Sequence, residues 1–187
     1  MRLRLALSTL IFLLSATAFG YDANWWYAKY QKLGDANPKW DALVREGMDH
    51  WVKGGEALSD VEARAEFDLA AEALEKAYAA GCRCPIALFM DGTSGCFPWL
   101  RLPESLALTE KKPELAFVRI FCANALGWKY DRAGQFKEAI PYFEMALSLS
   151  SPDVDEDAVQ EDAKAGLQEA REEVAASGSW TTALRRS

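Results

Sequence analysis

Between breaks of glycine and proline, apolar residues in this chain recur every three or four positions, and no stretch alternates polar with apolar long enough for a half-buried strand. That pattern confines the chain to helices packed on helices, an all-α fold. Asn24 to Leu33 forms a short aromatic segment closed by Gly34. Asn37 offers an N-cap and Pro38 a first helical position for a helix carrying Trp40, Leu43, Val44, Met48, Trp51 and Val52 as far as Gly54-Gly55. Ser59 and Glu62 make a capping box, and an alanine-rich face with Val61, Ala65, Phe67, Ala70, Leu74 and Ala77 runs to Gly81. Pro85 opens a helix through Met90, and two Gly, a Pro and small hydroxyl residues make Asp91 to Trp99 a loop. Pro103 and Pro113 each open a helix, the second running from Glu114 to Arg132. Helices over Gln135–Leu149 and from about Asp153 follow.

The first twenty residues do not belong to that scheme. Arg2 and Arg4 precede an apolar run from Leu5 to Ala16 and then small residues, the order of a secretory signal peptide. The run is about a dozen residues, short of the roughly twenty needed to span a bilayer, so removal is expected and no stable membrane span is expected afterwards. Both Ala16-Thr17-Ala18 and Ala18-Phe19-Gly20 fit the cleavage rule, the second better placed. The expected organisation is a signal peptide over 1–20, a helical domain over 21–176 and a flexible tail over 177–187, in a periplasmic or secreted protein. Trimming removes two arginines and no acid, leaving 19 basic and 28 acidic side chains and moving the net charge from −7 to −9. An acidic chain without a basic stripe is a poor partner for nucleic acid.

In an oxidising compartment the even set Cys82, Cys84, Cys96 and Cys122 favours disulfides. Cys82 and Cys84 are too close to pair comfortably, so one is expected to reach Cys96 and the other Cys122. A soft copper(I) or zinc site on the same cysteines is the lesser reading, because the spacing is not that of a zinc finger and His50 is distant.

From Ile120 to Pro152 the chain presents Leu126-Gly127, Tyr130, Gly134, Phe136, Ala139, Phe143, Ala146 and a closing Pro152. This resembles a tetratricopeptide repeat, in which small residues let two helices touch and aromatics fill the space between repeats. It departs from that pattern at Ala123, where the family often has Trp, and its proline falls one residue late. Phe67, Ala70, Leu74 and Ala77 resemble the second helix of a degenerate upstream repeat leading into Gly81-Cys-Arg-Cys-Pro85. The resemblance implies a short right-handed α-α superhelix whose concave face holds a protein or peptide, with Asn124, Trp128, Asp131 and Arg132 looking into the groove.

No constellation commits to catalysis. His50 follows Asp49 but has no nameable nucleophile. Gly92-Thr-Ser94-Gly-Cys96 lacks the second Gly and the flanking strand of a nucleophile elbow. Asp153, Asp155 and Asp157 have the odd spacing of a calcium loop, yet Ala158 and Lys164 stand where Gly and Glu are needed. The expectation is therefore a binding or scaffolding module without a cofactor, not an enzyme. The alternative is an envelope glycan-binding or glycan-processing helper that uses the Trp-rich surface, since Trp25, Trp26, Tyr27, Tyr30, Trp40 and Trp51 crowd the N-terminal part.

Overall fold

The computed structural model describes residues 22–33, 36–94, 101–153 and 156–184, with the side chains of 156–158 and 178–184 left aside. Its described residues form eight α-helices and no strand: α1 Ala23–Lys32, α2 Asp41–Glu56, α3 Asp60–Ala79, α4 Pro85–Ser94, α5 Arg101–Thr109, α6 Ala116–Arg132, α7 Phe136–Ser148 and α8 Glu156–Leu184, with a 3-10 turn at Pro113–Leu115. The signal-peptide segment, Gly34, Cys96, Trp99 and the end of the tail lie outside the described residues.

Local chemistry accounts for four of the helix ends. The Asp22 side chain accepts the Trp25 N–H at 2.8 Å, and Ser59 caps α3 by accepting the Glu62 N–H while its own hydroxyl donates to the Glu62 carboxylate at 3.0 Å. Helices α3 and α6 end in the same way. Gly81 (φ 109°) and Gly134 (φ 73°) take the left-handed conformation, and the following N–H groups of Cys82 and Gln135 donate back to the Ala77 and Tyr130 carbonyls at 3.0 and 2.9 Å. Nothing lies within 4 Å of where a Gly134 Cβ would stand, so backbone conformation alone fixes glycine there.

Several boundaries differ from expectation. Trp40, not Asn37, precedes the first turn of α2; Asn37 instead shapes the turn before it, its side chain accepting from the Lys39 N–H at 3.0 Å. The expected loop from Asp91 begins as helix, because α4 continues to Ser94. Hydroxyls of Thr93 and Ser94 bond back to the Phe89 and Met90 carbonyls, and Leu102 packs so closely on Gly92 that a Cβ would stand 2.7 Å from it. Val61, expected on the apolar face of α3, is 81% exposed; the buried face is Ala63, Phe67, Ala70, Ala73, Leu74 and Ala77. Helix α8 runs through Ser177, past the start of the expected tail.

Each helix from α1 to α8 packs against the next one in sequence. In addition α2 touches α4, α4 touches α6 and α6 touches α8, whereas α3, α5 and α7 make no comparable contact with one another. The even-numbered helices thus form an inner layer, with α3, α5 and α7 outside. Between the layers, short side chains set the spacing: a Cβ on Gly127 of α6 or Gly166 of α8 would stand 2.6 or 2.3 Å from the ring of Phe143, which α7 drives between them. The same device joins α2 to α3, where Gly47 lies under Leu74 and Gly54 under Phe67.

Helix α1 belongs to neither layer. Its Trp26, with no exposed surface, reaches rings of α2, α4 and α6 at centroid distances of 5.7 to 6.1 Å. Tyr27 donates its hydroxyl proton to Asp41 at 2.6 Å, and Lys29 pairs with Asp153 in the connection between α7 and α8.

Candidate functional site

On α6, Asn124, Trp128 and Asp131 recur at spacings of four and three and so share one face. That face meets α8. Asp162 on α8 accepts from Asn124 Nδ2 at 2.6 Å and from Trp128 Nε1 at 2.8 Å, and the Trp128 ring stands edge-on to Phe143 at 5.4 Å. Three of the four residues expected to look into a groove are therefore buried in the seam between two inner helices: Asn124 is 3%, Trp128 8% and Asp131 7% exposed. Only Arg132 lies at the surface.

The Asn124 Oδ1 and Asp131 Oδ1 atoms are buried with no hydrogen-bond partner among the described residues. Burial, with Glu169 adding like charge, raises the Asp131 carboxyl to about 6 against the pull of Arg132. On the same helix, burial lowers the Lys129 ammonium to about 8. No sequence pattern marks Asp162, which reads as one more acid on the last helix.

A second polar cluster joins α3, α4 and α5. The guanidinium carbons of Arg83 and Arg101 both stand 3.5 Å from the centroid of Tyr78, which puts them on opposite faces of the ring, since one face has no room for two at that distance. Arg101 reaches the buried Asp91 at 3.3 Å, and Glu104 lies within ion-pair distance of both arginines. Burial raises the Asp91 carboxyl to about 6, although Arg101 opposes the shift. Tyr78, Arg83, Asp91 and Arg101 come from separate segments, so no spacing in the sequence signals them.

Among the described residues no disulfide forms. Cys82, Cys84 and Cys122 are each buried as thiols, and Cys96 lies outside the described residues. Cys122 donates to Ser105 Oγ at 3.2 Å, and complete burial pushes its thiol up to about 12. His50 pairs through Nδ1 with Glu66 at 2.7 Å, tying α2 to α3. Among the described residues, no group of three or more His, Cys, Asp or Glu is arranged to hold a metal, and no helix is long and apolar enough to cross a membrane.

Fold and sites together define an all-α protein of sequentially packed helices with a polar seam between α6 and α8 and a polar cluster where α3, α4 and α5 meet. No family model matches the chain, and no curated protein or solved structure matches it either.

Proposed function

We propose that this protein is an exported, tetratricopeptide-like module that binds a protein or peptide partner outside the cytoplasm and acts as an adaptor or scaffold. The observation that carries the reading is the packing pattern: second-neighbour contacts join α2, α4, α6 and α8 but not α3, α5 and α7. Stacked helical hairpins of a repeat protein produce that two-layer arrangement, which supports reading the helices as part of a short superhelix. The wedge of Phe143 between Gly127 and Gly166 agrees with the repeat spacing from Leu126 to Ala146. Export rests on the sequence of residues 1–20 alone.

Arg132 is the accessible member of the groove set, and the natural position from which to look for a partner. A photo-crosslinking residue placed there in the exported chain is expected to yield a discrete adduct of reproducible mass from envelope extract. Absence of any adduct there, and from a matching probe at the exposed Glu172, with folded soluble bait, would remove the basis for an adaptor. The glycan-binding alternative draws no support from the described tryptophan side chains: Trp26, Trp51 and Trp128 are buried, and Trp25 and Trp40 are half-buried.

A further inference from the structure

The inner layer is not an open face, because α1 lies across it. Trp26 meets one or more rings from each of three inner helices: Trp51 of α2 at 5.8 Å, Phe89 of α4 at 5.9 Å, and Phe117 and Phe121 of α6 at 6.1 and 5.7 Å. One turn on, Tyr30 is also fully buried, next to Cys82 and Cys84 at the entrance to α4. Between them Lys29 lies over the rings of Trp25 and Phe117 and pairs with Asp153.

The contacts of α2 with α4 and of α4 with α6 are made by those helices themselves, and the backbone of α1 runs close chiefly to α2. A helix of ten residues is not stable alone in water, so α1 owes its form to what it docks on. Ala23, Trp25, Trp26, Tyr27, Tyr30 and Leu33 join or pack on the core, and as the first helix of the stack α1 can open without separating the later helix pairs.

We propose that α1 is an exchangeable occupant of a helix-receiving groove: the face of α2, α4 and α6 takes from a partner an amphipathic helix with two aromatic side chains four positions apart and a basic residue between them, displacing α1. Trp26, Lys29 and Tyr30 are the resident version of that pattern. The Trp51–Phe89–Phe121 pocket accepts a large ring, Asp153 accepts the base, and a chain of net charge −7 favours a basic helix over an acidic one. The inference rests on the binding-module reading and specifies its face, its ligand class and its regulation.

The probe is a labelled synthetic peptide of residues 22–33, added to the full mature chain. The unaltered chain is expected to bind it weakly, since α1 competes at the high effective concentration of a tethered ligand. Trp26→Ala in the chain is expected to tighten the apparent affinity by on the order of 100-fold, and the same peptide carrying Trp26→Ala is expected not to bind. Lys29→Glu is the second variant, because it leaves the aromatic core intact while opposing Asp153; a gain of several-fold is expected. No gain in either variant overturns the proposal, and so does loss of the helical circular-dichroism signal in Trp26→Ala, which would make α1 an integral part of the core. Hydrogen exchange on the unaltered chain supplies an independent reading: α1 amides exchanging well ahead of those of α6 support exchange, and the two exchanging together refute it. Partner capture unaffected by Trp26→Ala would sink this inference and leave the adaptor reading standing, whereas peptide exchange with no captured partner would do the reverse.

Discussion

Gly166→Ala tests the wedge between α6 and α8 through the sign of its effect. In a helix interior, replacing glycine by alanine ordinarily stabilises by about 0.5–1 kcal/mol, because alanine has less backbone freedom to lose. Here the new Cβ would stand 2.3 Å from Phe143 Cζ and 2.5 Å from its Cε1. Phe143 has no exposed surface, and Gly127 holds its other side with a would-be Cβ only 2.6 Å away. The ring has nowhere to retreat, so helix separation or an off-rotamer ring must absorb the methyl, at about 1–3 kcal/mol or more. Net destabilisation is expected in the native background. With Phe143→Ala present, which itself costs about 3–5 kcal/mol, Gly166→Ala should change sign and stabilise. A double-mutant cycle by urea denaturation, with helical content checked in each variant, reads the coupling directly. Gly166→Ala that stabilises the native chain, or costs the same whether or not Phe143 is present, would refute the wedge.

Asp162→Ala leaves the Asn124 and Trp128 donors without their acceptor inside the seam and should cost about 2 kcal/mol or more; a change within about 0.5 kcal/mol in chemical denaturation would show that the seam is solvated. Asp91 is raised from 3.8 to about 6 in the fold, so the stability tied to its neutral form is full below pH 4 and is lost as pH rises through 6. Asp91→Asn should therefore be more stable than the native chain at pH 7 by about 2–3 kcal/mol at most, with the gain gone below pH 4; equal stabilities across that window, in thermal melts at fixed pH, would contradict the burial argument. Cys122 should resist alkylation in the native protein and react fully once denatured without reductant, because its thiol is buried and pushed up to about 12; an unreactive Cys122 in denaturant would reveal a disulfide.

Where the sequence was legible, a local rule decided the structure. Gly81 and Gly134 end their helices because few other residues take their backbone conformation, and Ser59 caps α3 through its own hydroxyl. The spacing of Gly127, Ala139, Phe143 and Ala146 set out how α6 and α7 pack. Misreadings occur where tertiary packing outweighs propensity. Gly92, Thr93 and Ser94 are poor helix formers, but Leu102 over Gly92 and two hydroxyls bonded back along the helix hold α4 together. The seam residues follow the same division. Repeat spacing puts Asn124, Trp128 and Asp131 on one face of α6, yet cannot show that Asp162 closes over that face and makes it a seam, because nothing local joins positions 38 residues apart. An even count of cysteines pointed to bridges, whereas Cys122 found a hydrogen-bond partner in Ser105 instead.

Stability and access are carried by different aromatic residues, and the separation has a physical reason. The outer-to-inner joints, Phe143 on Gly127 and Gly166 and Phe67 on Gly54, are interlocked at distances that leave no slack, so a ring cannot leave without collapse of the joint. Trp26 enters from the first helix, and the contacts of α2 with α4 and of α4 with α6 are made by those helices themselves. Uncovered, however, Trp51, Phe89, Phe117 and Phe121 would make one apolar patch on an otherwise acidic chain, the kind of surface through which proteins self-associate. A face suited to binding an aromatic helix must therefore be covered when no partner is present. Helix α1 covers it with side chains matched to the face, so Trp26→Ala should raise self-association as well as peptide binding, while Gly166→Ala should lower stability without either effect. If light scattering showed both variants remaining monomeric and both equally destabilised, the division between joint and cover would not hold.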